Sequence, residues 1–491
     1  MDILAHICDN DGTLSLDNDE IVSLEKILKE KINNITYPIG FNPSALVYGD
    51  YISSLVDYIY ARARNIIKET LEEMDNQFFN LKGRTTRYYS KAYRDREIIT
   101  IFGSVIFKRH EYVDIHTNGP LIYVDEKIGL KRRDRFDPSV CALIYEMYSD
   151  INSMIKVGKI IGNIINNPFS LDKNRALFHV PRQTVWKILH KFKSIDIPIE
   201  RVDSTPETLY IAADEKFIPA QRNDNKKLMT KEVLIFEGIK YHQIVNEETG
   251  EVTYRNKLIN PHRIITYQSD IYGLAQDYIY QRYDTNKLKQ IYLLGDGGSW
   301  IETGINELSS TEYDISYGLD KFHYCLAVNT ISKDDDEKGL LYYYSIRNLK
   351  DDFKYLIKMI KKKEPDRIET IDEKANYILN HFKAIRNMYK NIKIGCPMEQ
   401  AISHDIASQF TSVPKGYSDK WINHYLNERQ HRLNKYDLRL LYLTALDKAD
   451  KNNDENIEIS LKDKLNTSFF DSQIKDDFYT LNLNWLTPKM N

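Results

Sequence analysis

Between residues 208 and 330 the chain alternates short β-rich apolar runs with stretches of helical period, and two of the apolar runs stop on an aspartate. TLYIAAD ends in Asp214 and KQIYLLGD ends in Asp296. Short apolar runs bounded by turn residues read as buried strands. A carboxylate bordering such a run is costly unless it is hydrogen-bonded, paired or bound to a metal. Strand ends are also where α/β sheets expose reactive groups, so these two positions constrain fold and chemistry together. Between them, EVLIFEGIKYHQIV and EVTYRNKLI read as strands joined by the turn-rich Asn246–Gly250, and SDIYGLAQDYIYQRYD reads as a helix. After Asp296 come helical GSWIETGINEL, extended YDISYGLD and helical KFHYCLAVNTI.

Three strands with hairpin connections followed by α–β–α–β is the order of a ribonuclease-H-like α/β core; a flavodoxin-like domain would alternate strand and helix from the outset. Residues 208–330 are thus expected to form the first part of that core. Residues 331–395 show no strand pattern and predict an all-helical insertion interrupted at Glu364-Pro365, too long for a simple connection. GCPMEQAISHDIASQF predicts a short helix carrying Glu399, and WINHYLNERQHRLNKYDLRLLYLTALDKA a further helix, so 396–445 would complete the core and 446–491 form a polar tail. Upstream, residues 1–80 read as a helical N-terminal region and 81–200 as a DNA-binding region. The boundary falls near 196–208, where Pro198 and Pro206 interrupt the periodicity.

The chain has 491 residues, with 68 Lys and Arg against 71 Asp and Glu and a formal net charge of -3. That balance excludes a uniformly basic coat, but it averages unlike parts. Between Lys82 and Arg135 stand 13 basic and seven acidic residues. Within this stretch EIITIFGSVIFKRHEYVDI predicts a hairpin turning at Gly103-Ser104. HVPRQTVWKILHKFKS resembles the second helix of a helix-turn-helix: Pro181 at the start, Gln183 and Thr184 outward on the first turn, and an apolar face of Val185, Ile188 and Leu189. The residues expected to meet DNA are Arg109, Lys131, Arg132, Arg133, Arg135, Arg182, Gln183, Thr184 and Lys187; the alternatives are a solvated basic surface and an ordinary packed helix. No apolar run reaches the ~18 residues of a bilayer span, and the acidic N-terminus shows no secretory signal, so a cytoplasmic, nucleoid-associated protein without membrane contact is expected. Cys8, Cys141, Cys325 and Cys396 form no CxxC pair and read as packing residues.

Asp214 and Asp296 can each be read as a helix cap or as a metal ligand. Two-metal phosphoryl chemistry needs a cluster of carboxylates holding hard divalent ions ~3.5–4 Å apart, and a third carboxylate would have to come from beyond the insertion. Glu399 is the candidate. For Glu399 the alternative is an exposed glutamate at a helix end; a catalytic cluster of Asp214, Asp296 and Glu399 would call for two Mg²⁺ (or Mn²⁺) ions as cofactors. Trp300 would either stack on a base or pack in the core.

LYIAADEKFIPAQ, VLIFEGIK, IYLLGDGGSWIETG, GLDKFHYCLAVN and GCPMEQAISHDIASQFTSVPKGYS resemble successive blocks of bacterial insertion-sequence transposases of the ISLre type, in the DDE superfamily. TIFGSVIFKRHEYVD and GLKRRDRF resemble the N-terminal region of that family, so the likeness runs from about residue 97 to 425. The resemblance implies that Asp214, Asp296 and Glu399 are the metal-binding triad. It matches Asp320 and His323 to a D-x-x-H block, where the imidazole would contact a DNA phosphate, steady a carboxylate, or simply pack. Ser403 and His404 would orient Glu399 or cap a helix. AADEKF is poorer in acidic residues and glycine than the usual first-aspartate block, which puts Glu215 in doubt. The implied function is cleavage of double-stranded DNA at terminal inverted repeats and strand transfer into target DNA, by a homo-oligomer. The alternatives are a domesticated DNA-binding protein and a ribonuclease-H-like nuclease that cuts without joining.

Overall fold

The structure, a computed structural model, describes residues 45–170, 178–192, 194–221, 227–245, 252–267, 270–392, 394–412, 415–452 and 456–458. The expected helix SLEKILKEKINNI, the turn Asn246–Gly250 and the end of the tail lie outside the described residues, as does Cys8. The chain forms two units: one holds everything up to Pro198 together with the segment from Asp437 onward, and the other holds Ile199–Tyr436.

The first unit begins with α1 (Ala45–Asn80), followed by the hairpin β1 (Tyr88–Thr100) and β2 (Gly103–Asp114) and a short third strand, β3 (Pro120–Leu121). The hairpin turns at Ile101-Phe102, with Gly103 at φ 110°, a left-handed value that favours glycine. Leu71 of α1 packs on Ile98, Val105 and Phe107. Carboxylates of α1 also finish the free edge of β2: the Lys108 amide donates to Glu72 Oε1 (2.9 Å) and the His110 amide to Asp75 Oδ2 (3.0 Å). An edge strand left bare would invite pairing with another chain, so the helix protects as well as packs. After α2 (Tyr123–Lys127) come three helices, α3 (Pro138–Ile151), α4 (Met154–Ile165) and α5 (Arg182–Leu189), then β4 (Ser194–Asp196). Asp137 caps α3 by accepting from the Ser139 and Val140 amides, and Ser153 caps α4. Gly158 lets α4 approach the strand-like segment before α5, since a Cβ there would lie 2.4 Å from the Val180 carbonyl oxygen.

In the second unit a five-stranded sheet is built from β5 (Thr208–Pro219), β6 (Lys227–Phe236), β9 (His262–Tyr267), β10 (Gln290–Gly295) and β11 (Asp314–Leu319), in the order β11-β10-β5-β6-β9. β10 runs parallel to both β5 and β11, whereas β6 is antiparallel to β5 and to β9. Here the sequence reading needs two corrections. EVLIFEGIKYHQIV is not one strand: it breaks at Glu237 into β6 and β7 (Gly238–Val245), where Gly238 has φ 156°. EVTYRNKLI, read as the third core strand, is β8 (Val252–Ile259), which pairs only with β7 in a separate ribbon; the third core strand is HRIITY, β9. The alternation of β8 places polar residues on both sides, whereas β9 carries Ile264, Ile265 and Tyr267 into the core.

Helices cover both faces of the sheet. Leu209, Ile211 and Ala213 of β5 point into one core, shared with α6 (Ile271–Arg282), α7 (Ser299–Glu307), α8 (Lys321–Ile331) and the helical segment α9 (Asp335–Arg347), α10 (Lys350–Lys363), α11 (Ile368–Asn380) and α12 (Phe382–Lys390). The described residues of the expected insertion are thus helical. Ala212 points the other way, with Leu234, Ile265 and Leu294, toward Met388 and toward α13 (Met398–Ile402), a π-helical turn at Ser403–Ala407, α14 (Ser408–Phe410) and α15 (Ile422–Leu433). WINHYLNERQHRLNKYDLRLLYLTALDKA, read as one helix, is two: α15 stops before Lys435, at φ 64°, and α16 (Leu438–Asn452) belongs to the first unit. There Tyr442 packs on Tyr145, Arg439 pairs with Glu146 at 3.1 Å, and β12 (Asn456–Glu458) adds to β4. The core expected to extend to residue 445 therefore ends at Tyr436.

Candidate active site

The register of three parallel strands places three aspartates in a row. Leu294 of β10 pairs with Ala212 of β5, so Asp296 and Asp214 each stand two residues beyond that pair. Gly295 pairs with Leu319 of β11, so Asp320 is the next position beside Asp296, and its amide donates to the Gly295 carbonyl at 2.8 Å. Asp214 is not at the end of its strand, as its sequence context suggests. β5 continues to Pro219 against β6, and only its pairing with β10 stops short of Asp214. The side chain consequently emerges where one neighbouring strand has ended and the other continues.

Charge is crowded there. Burial pushes the Asp214 carboxyl up to about 6, with the neighbouring charges of Asp296 and Glu215 adding to the rise and the Glu215 amide and His323 opposing it. Asp296 Oδ1 accepts from the Gly298 amide at 2.9 Å. Gly297 between them has φ 95°, and a Cβ there would lie 2.7 Å from His381 Nε2. The Tyr377 hydroxyl of α11 donates to the Asp296 carbonyl at 2.6 Å, so the helical segment fastens the Asp296 turn directly. Asp320 is buried at 7% exposure, caps α8 through the Phe322 amide, and lies 2.9 Å from His323 Nδ1. That hydrogen bond raises the His323 pKa, and the charges of Asp320, Asp296 and Asp214 raise it further. His323 is thus held by Asp320, with its protonated form favoured by all three carboxylates, a contact the sequence left open among three readings.

The Glu399 segment reaches the same place by its loop. Burial pushes the Cys396 thiol in the GCPME turn up, and the charges of Asp320, Asp214 and Asp296 add to the rise. α13 packs on β5, on the face to which Asp214 belongs by alternation. Glu399 itself is exposed on the first turn of α13, as are Ser403 and His404 one turn later. Among the described residues no three His, Cys, Asp or Glu side chains converge closely enough to hold a metal ion, so Asp214, Asp296 and Glu399 are not drawn to coordination distance in this arrangement. The donor set nevertheless suits a hard divalent cation: carboxylate oxygens, with an Asp214 charge penalised by its neighbours that a dication would relieve.

Sequence reasoning missed three residues. Glu232 is the cross-strand partner of Asp214 and is fully buried, with no hydrogen-bond donor to either carboxylate oxygen among the described residues. Burial and the adjacent Asp405 push its pKa well up, while Arg263, 4.0 Å away, pulls it down. Asp405 lies in the π-turn and pairs with Arg263 Nε. The available signal was a glutamate at the head of EVLIF, directly before the apolar run Val233–Phe236. Trp300 is not a free stacking platform: its Nε1–H donates to Glu215 Oε2 at 2.6 Å, and Lys231 Nζ lies 4.8 Å from its ring centre.

Residues 45–443 match the family described as uncharacterised protein family UPF0236. The chain belongs to the UPF0236 family. A UPF0236 protein of Caldanaerobacter subterraneus subsp. tengcongensis is 24% identical over 407 residues, covering 82% of this chain and 80% of the relative. Another from that organism is 24% identical over 409 residues, with 82% and 80% covered, and its name joins eleven locus designations.

The first unit of this UPF0236 chain carries the expected DNA-facing residues. Lys131, Arg132, Arg133 and Arg135 are exposed around the turn before α3, with Arg135 3.2 Å from Glu97. On α5, Arg182, Gln183 and Lys187 are exposed and Thr184 is half-buried, over a buried face of Val185, Ile188 and Leu189. Arg109 is a correction. It is 5% exposed, with Nε 2.8 Å from Asp125, because its strand alternation turns it toward the same interior as Phe107. Pairing also removes most of the acidic partners: Asp114 binds Arg87, Glu111 meets Arg94 and Arg109, and Asp134 meets Lys191. No helix among the described residues is long and apolar enough to cross a membrane, and Cys141, Cys325 and Cys396 are free thiols.

Proposed function

We propose that this UPF0236 protein is a DDE-type DNA transposase, cutting double-stranded DNA at the ends of a mobile element and joining those ends to target DNA. The observation that carries this reading is the row of aspartates on three adjacent parallel strands, with Asp214 charge-stressed beside Asp296 and the Glu399 helix packed on the same strand. The strand order, with β6 alone reversed between two strands of common direction, supports a ribonuclease-H-like core interrupted by the helices of 331–395. The eleven loci sharing one relative's name support mobility, since repeated insertion of an element through one genome leaves such copies.

Asp214 and Asp296 would hold divalent Mg²⁺ or Mn²⁺, and Glu399, on the helix packed against β5, would complete the set. Bound there, such ions would make the attacking water or 3′-hydroxyl more acidic and would offset charge on the leaving oxygen. In hydrolysis a water oxygen bonds to phosphorus, the P–O3′ bond breaks and the 3′-oxygen leaves as a hydroxyl. In transfer that 3′-oxygen, giving up its proton, bonds to a target phosphorus, the target P–O3′ bond breaks and the target 3′-oxygen leaves as a hydroxyl. His323, held by Asp320, provides a cation toward the scissile phosphate or steadies the aspartates. Lys131, Arg132, Arg133, Arg135, Arg182 and Lys187 would neutralise backbone phosphates, with Gln183 and Thr184 at the base edges. We place the active form in a homo-oligomer bound to paired element ends.

The test is Mg²⁺-dependent nicking and joining of a duplex bearing the inverted repeats that flank the coding region. Asp214→Asn, Asp296→Asn and Glu399→Gln should each reduce nicking by at least about 10³-fold while leaving duplex binding within about threefold. Full activity in any of the three removes that residue from the triad. Nicking without joining would move the reading to a nuclease, and specific binding without nicking to a domesticated DNA-binding protein.

A further inference from the structure

Glu399 sits on a five-residue helix followed at once by a π-helical turn, Ser403–Ala407, and π-turns hold one residue more per turn than an α-helix. Inserting or removing that residue rotates the preceding segment by about 100° about the helix axis. Whatever fixes this turn therefore fixes the direction in which Glu399 points. Two arginines do so, and neither contacts the three aspartates. Arg263 of β9 pairs through Nε with the buried carboxylate of Asp405. Arg429 of α15 donates from Nε to the Asp405 carbonyl at 3.1 Å and from Nη2 to the His404 carbonyl at 3.0 Å.

Arg263 is itself braced. Asn434 accepts from the Arg263 amide and donates to its carbonyl, both at 2.9 Å. The remaining neighbour is Glu232, 4.0 Å from Arg263 Nε and directly across β5–β6 from Asp214. A continuous run of contacts thus joins the strand bearing Asp214 to the turn that orients Glu399: Asp214, Glu232, Arg263, Asp405, π-turn, α13. Buried pairs of this kind are poor sources of stability compared with apolar packing, and fixing geometry is the better-attested use for one.

We propose that Arg263 and Asp405 are positioning residues that set the register of the π-turn and thereby where Glu399 stands relative to Asp214 and Asp296. The inference rests on the metal-dependent reading above and adds residues that touch neither metal nor DNA.

Mn²⁺ binding to the full-length protein, followed by calorimetry, tests it apart from activity. Wild type should bind Mn²⁺, and Glu399→Gln should weaken binding. Asp405→Asn should weaken it to a similar extent, roughly 10–100-fold, as loss of groups that orient metal ligands does. The double variant Asp405→Asn/Glu399→Gln should lose little more than either single one, because both act through the same carboxylate. If Asp405→Asn leaves an orphaned Arg263 that prevents folding, Arg263→Met/Asp405→Leu removes both charges together and should fold, yet show the same loss. A folded variant of either kind that binds Mn²⁺ as wild type does, while Glu399→Gln does not, overturns the positioning role alone. A wild-type protein that takes up no Mn²⁺ overturns the metal reading and this inference with it.

Discussion

Asp214 shows most directly what a functional side chain costs its fold. Its carboxyl ordinarily titrates at 3.8 and is held at about 6 in the folded chain. Below the lower value it is protonated folded or unfolded and costs nothing. As pH rises from there through about 6 the unfolded chain ionises first, so stability is lost across that window and stays lost above it. Asp214→Asn should therefore melt higher than wild type at pH 8 in the presence of a chelator, by at most about 3 kcal/mol, since solvent screens part of the penalty. At pH 4 the two should melt nearly together. A variant less stable than wild type at pH 8 would contradict this account of the charge. Gly297 makes a second residue-scale case. Gly297→Ala must adopt a φ near 95° and bring a Cβ to 2.7 Å from His381, so a loss of roughly 1–3 kcal/mol is expected, read as a lowered denaturation midpoint. Gly298, at φ -59°, should tolerate alanine with a smaller shift.

Among elements, α15 has a role that its sequence barely advertises. Asn423, Gln430 and Asn434 all turn toward β9: Asn423 accepts from the Tyr267 amide and donates to its carbonyl, Gln430 accepts from the Ile265 amide, and Asn434 serves Arg263 likewise. Side-chain amides on one helix face thus substitute for a sixth strand at the open edge of the sheet. Asn434→Ala would leave both main-chain groups of Arg263 without that partner, at a cost of about 1–3 kcal/mol in chemical denaturation. An unchanged midpoint would mean that water replaces the amide freely. The same scale explains which elements were legible. β5, β10 and β11 were readable because strands flanked on both faces are apolar at nearly every position. β9 was not, since HRIITY is short and follows directly on EVTYRNKLI, and period alone cannot say which run pairs with β6. Arg109 was misplaced for a related reason: charge counts carry no information about which side of a strand a residue occupies.

Over the whole chain, the two units differ in how they are assembled from sequence. Ile199–Tyr436 is continuous, whereas the first unit needs residues from both ends of the chain. A fragment spanning 199–436 should therefore unfold cooperatively on its own. Residues 1–198 alone should be markedly destabilised without α16, whose Tyr442 is buried against Tyr145 and Phe192, and adding back 437–491 as a peptide should restore stability. Thermal melts of the three samples check this; a fragment 1–198 as stable as the complemented one would show that the return segment contributes nothing.

What the sequence determined by itself was local and periodic: the apolar runs that lead up to Asp214 and Asp296, the helical character of 331–395, and the apolar face of α5. These follow from nearest-neighbour geometry, where a two-residue or 3.6-residue period fixes what faces inward. What only the tertiary structure decided was register and proximity. Strand pairing put Asp320 in line with Asp296 and set Glu232 opposite Asp214, and packing of α15 brought Arg429 to the π-turn while β9 brought Arg263. Those contacts join separate elements, Arg263 and Asp405 across 142 positions, and no period in a linear chain encodes which segments will share a sheet.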